Sequence, residues 1–92
     1  MTTPTTLILK SLADDTRLSI VRKLAQNSCE ESGSEIVSKC SQAQALSQPA
    51  ISHHFSRLVQ AGIIIERKVG TEKRYKLNYP LLTSIGVDPT KL

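Results

Sequence analysis

Leu46–Gly62, LSQPAISHHFSRLVQAG, is the stretch in which a helix start, an apolar stripe, a polar stripe and a helix stop coincide. Ser47 is a good N-cap, because its side-chain oxygen can accept from an amide of the first turn. Pro49 falls in that turn, where its missing amide hydrogen costs no intrahelical bond. Gly62 closes the helix. Between these ends Ile51, Phe55, Leu58 and Val59 recur at helical spacing and form a face that must be buried. Gln48, Ser52, His53, Ser56, Arg57 and Gln60 are left outside. This outer face is short-armed, rich in hydrogen-bonding groups and free of acids, whereas a merely solvated helix would usually mix Glu with Lys. It suits a helix laid against base edges and phosphates, that is, a DNA-recognition helix.

The distribution of charge supports the same reading. The formal net charge is +4. Before Ser47, Lys10, Arg17, Arg22, Lys23 and Lys39 are balanced by Asp14, Asp15, Glu30, Glu31 and Glu35. From Ser47 to Asn78, Arg57, Arg67, Lys68, Lys73, Arg74 and Lys76 face only Glu66 and Glu72, and in the tail Lys91 cancels Asp88. The whole excess therefore sits beside the polar helix, which is the electrostatic footprint of a phosphate-binding surface.

Outward from the helix, toward the C-terminus, IIIERKV is rich in β-formers, with Ile63 and Ile65 on one face and Ile64 on the other, and Gly70 breaks the run. RYKLN at 74–78 answers it, Tyr75 and Leu77 alternating with Arg74, Lys76 and Asn78. Together they predict a β-hairpin with its tip at Gly70–Lys73. Lys68, Thr71, Lys73 and Arg74 cluster around that tip, where a projecting ribbon can reach a phosphate or the minor groove. Beyond Tyr79, Pro80, Gly86 and Pro89 leave room for at most a short helical turn around Leu81–Ile85, in an otherwise irregular tail.

Toward the N-terminus, Ser34–Ser41 reads as a helix capped by Ser34, with Ile36, Val37 and Cys40 inward. It connects through Gln42–Leu46 to the recognition helix, and two helices joined so tightly form a helix-turn-helix. Asn27–Gly33 is a polar break. Asp15–Gln26, capped by Asp14, is a helix with Leu18, Val21, Leu24 and Ala25 inside and Ile20 at the flank. Thr5–Ala13 carries Leu7, Ile8, Leu9 and Leu12, an apolar face too wide for one neighbour and suited to packing against a second subunit.

The expected architecture is α+β, mostly α: a single winged helix-turn-helix domain over 1–92, with the helix-turn-helix at 34–61 and a two-stranded wing at 63–78. At 92 residues such a domain buries only about two thirds of its unfolded surface, so a partner subunit is expected. No apolar run approaches the roughly 20 residues of a membrane span, and the first ten residues do not form a signal peptide, so the expected location is the cytoplasm.

Two blocks carry a resemblance to the ArsR/SmtB family of winged-helix transcriptional repressors: LADDTRLSIVRKL at Leu12–Leu24 and LSQPAISHHFSRLVQAGII at Leu46–Ile64. With the hairpin VGTEKRYKLN included, it covers most of the chain from Leu7 to Asn78. The resemblance implies a homodimer on a palindromic operator, with the helix at Ser47–Ala61 in the major groove and the hairpin at Ile63–Leu77 as the wing. Carried over by position, Gln48, Ser52, His53 and Arg57 are the implied helix contacts. The metal sites of that family are not carried over. The positions of its Cys-x-Cys pair hold Ile36 and Ser38, and after Asn78 the chain has only Asp88 and no histidine. The long C-terminal helix that usually joins the subunits is missing as well, which shifts dimerisation onto the N-terminal helix.

The remaining reactive residues have plainer explanations. His53 and His54 are about 100° apart on a helix and cannot easily converge on one metal. Cys40 occupies a packing position, and Cys29 lies beside Glu30 and Glu31, which disfavour its thiolate. A thiol switch between Cys29 and Cys40 is the alternative. No nucleophile–base pair or Gly-rich phosphate loop is present, so no enzyme, cofactor or metal site is expected. A winged helix that binds protein is the other alternative, since the fold alone does not dictate DNA. Such a face would offer apolar anchors, and the outer face of 47–61 has none.

Overall fold

The computed structural model describes residues 4–26 and 30–92. Helices α1 (Pro4–Leu12) and α2 (Asp15–Gln26) are followed by a short strand, β1 (Glu31–Ser32), and by α3 (Gly33–Ser38), α4 (Ser41–Gln44) and α5 (Gln48–Gln60). Strands β2 (Ile64–Val69) and β3 (Glu72–Leu77) form the wing, and α6 (Tyr79–Ser84) with a single 3-10 turn (Pro89–Lys91) completes the described chain. The sheet is antiparallel with order β1-β3-β2. This is a mostly helical winged helix-turn-helix.

The core forms where the helical stripes meet the inner face of the sheet. Ile8 and Leu12 of α1, Ile20, Val21 and Leu24 of α2, Ile36 of α3, Phe55 and Leu58 of α5, and Ile63, Ile64, Tyr75, Leu77 and Leu82 are all buried. Phe55 stacks on Tyr75 with ring centroids 4.6 Å apart and planes inclined by 29°, so α5 and the wing share one aromatic contact. Asp14 caps α2 by accepting from the Arg17 amide at 2.9 Å. Ile20 is fully buried while Leu18 and Ala25 are half-buried, because α2 packs against α3, α4, α5 and β3 as well as α1. Its centre thus lies closer to Ile20 than the flank position expected of that residue.

Four further expectations are corrected. The stretch 34–41 is not one helix: α3 ends at Ser38, and Cys40 is extended (φ −118°, ψ 101°) and precedes α4. The short brace of the helix-turn-helix is therefore α4, not 34–41, and the turn into α5 is Ala45–Ser47. The cap of α3 is Ser32 rather than Ser34. The Ser32 oxygen accepts from the Glu35 amide at 3.2 Å, and its hydroxyl donates to Glu35 Oε1 at 3.1 Å.

The third correction concerns the polar break, whose Glu31 and Ser32 pair with Tyr75 and Arg74 as a third strand; its residues 27–29 lie outside the described residues. The fourth concerns Ile63, which belongs to the bend after Gly62 and donates its amide to the Leu58 carbonyl at 3.0 Å. Ile63 and Ile64 are consequently both buried, and Ile65 is exposed.

The tail is more ordered than an irregular segment. Asn78 caps α6 by accepting from the Leu81 amide at 3.3 Å, while its side-chain amide donates to the Gly62 carbonyl at 2.9 Å. One residue thereby ties the end of the wing to the end of α5.

Candidate nucleic-acid interface

Helix α5 starts as its sequence dictates. The Ser47 oxygen accepts from the Ala50 amide at 3.3 Å, Pro49 sits in the first turn, and Gly62 follows the C-cap Ala61 with φ 80°. Ile51, Phe55 and Leu58 are buried and Val59 is half-buried, whereas Ser47, Gln48, Ser52, His53, Ser56, Arg57 and Gln60 are exposed. Arg57 reaches back one turn, its Nε 3.4 Å from His53 Nε2, and among the described residues it makes no ion pair.

His54 faces the other way. Its Nδ1 lies 3.0 Å from Arg17 Nη1 and 3.7 Å from Asp14 Oδ2, and Arg17 Nε donates to the Ser11 carbonyl at 2.6 Å. Burial holds its pKa below the usual imidazole value, and the charges of Arg17 and His53 act in the same direction against the opposing pull of Asp14. A neutral ring accepting from Arg17 clamps α5 to α2.

The wing is a ladder from Ile64↔Leu77 to Val69↔Glu72, closed by Gly70 and Thr71. Gly70 has φ 64°, as the first position of a mirror-image two-residue hairpin turn requires. Directly paired residues share a face, and successive residues alternate. Lys68 and Lys73 therefore lie on the face that carries Tyr75 and Glu66, toward α5, while Arg67 and Arg74 lie on the opposite face.

An open groove of about 710 Å³ runs between this face and α5, lined among others by Gln48, Ser52, Ser56, Thr71 and Lys73. Serines 34 and 38 of α3 form its far rim. At the floor, the Tyr75 hydroxyl donates to Glu66 Oε1 at 3.3 Å, and burial beside that carboxylate pushes the phenol pKa up to about 12. Lys73 has one distant carboxylate, Glu66 at 3.7 Å, and among the described residues Lys68 makes no ion pair.

Of the candidate contacts named from the sequence, Ser47, Gln48, Ser52, His53, Ser56, Arg57, Lys68, Thr71 and Lys73 lie exposed on α5, its cap or the wing tip. Arg74 does not belong with them. Its guanidinium turns to the back of the wing, where Nε is 3.2 Å from Glu30 Oε1, Nη1 is 3.1 Å from Glu72 Oε2 and 3.8 Å from Glu35 Oε1, and Nη2 donates to the Glu30 carbonyl at 3.1 Å. Glu72 is a neighbour on the same strand, but only tertiary structure brings in Glu30 and Glu35, which come from the segment around β1.

Glu31, buried on the same sheet, pairs with Lys39. The rim serines and the Gln42 side chain, which accepts from the buried Ser19 hydroxyl at 2.8 Å to lock α4 onto α2, carried no periodic signal in sequence. Cys40 is buried, and its proposed partner Cys29 lies outside the described residues. Ile36 is wholly buried, and Ser38 is exposed and donates its hydroxyl to the Glu35 carbonyl. No described helix is long and apolar enough to cross a membrane.

A family model described as bacterial regulatory protein, arsR family, matches residues 14–66. An uncharacterized HTH-type transcriptional regulator of Methanocaldococcus jannaschii is 43% identical over 68 residues, which are 74% of this chain and 71% of that protein. The arsenical resistance operon repressor of Escherichia coli is 38% identical over 77% of this chain, which spans little more than half (56%) of that repressor's length. Among solved structures, HlyU of Vibrio cholerae superposes with a TM-score of 0.72 and 29% identity, over 89% of this chain and 83% of its own. The match contains the helix-turn-helix and the start of the first wing strand, and the chain belongs to the arsR family of bacterial DNA-binding transcriptional regulators.

Proposed function

We propose that the chain is a repressor that binds as a homodimer to a two-fold-symmetric operator in the cytoplasm, acting as one winged-helix domain and by occupancy rather than catalysis. Helix α5 enters the major groove and presents Gln48, Ser52, His53 and Arg57 to base edges, while Ser47 and Ser56 flank them toward phosphates. The wing sets Lys68, Thr71 and Lys73 on the adjoining backbone or minor groove. The name of the E. coli relative supports repression.

One observation carries the reading: Lys68 and Lys73 stand directly opposite each other on the groove face, a like-charge pair that Glu66, 3.7 Å from Lys73, offsets only in part and that a further anion would stabilise. Duplex DNA supplies that anion. Affinity for a mapped operator should fall steeply between about 50 mM and about 200 mM salt, and Lys73→Ala should lower the slope of log affinity against log salt by about 1. An affinity indifferent to salt, or a slope unchanged by Lys73→Ala and Lys68→Ala together, would refute it.

A further inference from the structure

We propose that Glu30 makes the wing one-sided: its carboxylate holds Arg67 against the back of the hairpin, so that only the face bearing Lys68 and Lys73 is offered to phosphate. The inference rests on the DNA-docking reading above.

Both faces of this ribbon are basic in sequence, because Arg67, Lys68, Lys73 and Arg74 alternate across the pleat. The lysine face lies toward the groove. On the other face the Arg67–Arg74 pair is equally repulsive, and Glu30 is inserted where it meets both guanidiniums. Arg67 Nε donates to Glu30 Oε2 at 3.0 Å and Nη2 to Oε1 at 2.7 Å, a two-bond fork, while Arg74 Nε shares Oε1 at 3.2 Å.

The Arg67 fork holds the Glu30 carboxyl below its usual pKa range, so it is ionised throughout the physiological range. Arg74 has further partners in Glu72 and Glu35, but among the described residues Glu30 is the only carboxylate bound to Arg67. The Arg67 side chain is nevertheless 64% exposed, and a guanidinium fork binds a phosphate with the geometry it uses for a carboxylate. Phosphate and Glu30 therefore compete for the same atoms.

Arg67 and Lys68 point to opposite faces, so one seating of the wing cannot use both. With Glu30 in place, the ribbon has one seating. Without it, a second and sequence-independent seating becomes available through Arg67. Glu30 is thus a specificity-determining positioning residue, which suppresses binding to the wrong DNA rather than adding affinity for the right one.

The test measures binding of the full chain to its operator and to a random duplex across a salt series. Glu30→Gln should tighten the random-duplex complex about five- to tenfold near 0.1 M salt and steepen its salt slope by about 1, with operator affinity changed less than twofold. Glu30→Gln combined with Arg67→Gln should return random-duplex binding to the wild-type level. Arg67→Gln alone should leave both affinities as they were, which keeps the idea testable should Glu30→Gln fold poorly.

The proposal is overturned if Glu30→Gln, folded by circular dichroism, leaves random-duplex affinity and slope unchanged, or weakens both duplexes without rescue by Arg67→Gln. It is also overturned if Arg67→Gln alone costs operator affinity. Failure of the underlying docking reading looks different, since Lys68→Ala and Lys73→Ala would then leave operator binding and its salt slope untouched.

Discussion

At the scale of single residues, what a side chain does is decided by its partners across the fold. His53 and His54 are neighbours in sequence, yet His53 is exposed on the outer face and His54 is wedged against Arg17. In the unfolded chain an imidazole takes its proton near pH 6.5, and burial lowers that value for His54 in the fold. Between these two values the unfolded state binds more protons, so stability rises with pH across that interval. The contribution is complete above about pH 6.5 and is lost as pH falls toward the folded pKa. Urea midpoints at pH 7.5 and 5.5 should therefore differ for the wild type, and the difference should shrink in His54→Gln. An equal difference in both would show that another group is responsible. The lowered carboxyls Glu30 and Asp88 act at more acidic pH, below ordinary carboxylate values, and do not confuse the comparison.

Elements differ in how fully their own residues specify them. The recognition helix was legible to the residue, because its cap, first-turn proline, apolar stripe and terminal glycine are local signals that agree. The hairpin was legible for the same reason. Between α2 and α5 the pattern failed: two short helices separated by Lys39 and Cys40 contain no glycine or proline at the break, so their residues read as one amphipathic run. The Ser-x-x-Glu pair at 32–35 was a usable start signal. Strand β1 was not readable, since two residues become a strand only through pairing with β3. The basic candidate surface was visible as charge, but the turning of Arg74 to the back of the wing depended on contacts more than thirty residues apart in sequence. The hinge between the two legible elements is Gly62, at φ 80°, where an added Cβ would also meet Leu81 Cδ2 at 3.2 Å. Gly62→Ala should cost about 1–2 kcal/mol from the left-handed backbone alone. That is a fall of several degrees in Tm for a domain of this size. An unchanged Tm would mean that the helix end relaxes elsewhere.

For the whole molecule, the proposed homodimer on a two-fold operator requires two copies of α5 to be spaced for successive turns of one duplex, since half-sites lie about 34–36 Å apart and a rigid pairing of subunits must set that distance. The N-terminal helix is the part of the surface best suited to do so. Ile8 and Leu12 of α1 are spent on the core, with α2 and α5 as neighbours. Leu7 and Leu9 on the same helix remain 38% and 51% exposed. Helix α1 thus touches the core from one side and offers leucines on the other, and through its contact with α5 any pairing of α1 across a two-fold axis fixes the positions of both recognition helices. A large apolar side chain wholly in water costs roughly 1.5–3 kcal/mol relative to burial, and Leu7 and Leu9, already partly covered, would recover a fraction of that, twice over across a two-fold axis. The expected outcome is a wild-type dimer by sedimentation at tens of micromolar, a concentration chosen to exceed a dissociation constant of about 1 µM. Leu9→Glu should give a folded monomer, because Leu9 lies outside the core, and it should weaken operator binding far more than binding to a single half-site. A wild-type monomer at that concentration, or a Leu9→Glu protein that remains dimeric, would remove α1 from the interface and leave the half-site spacing to be set by another surface.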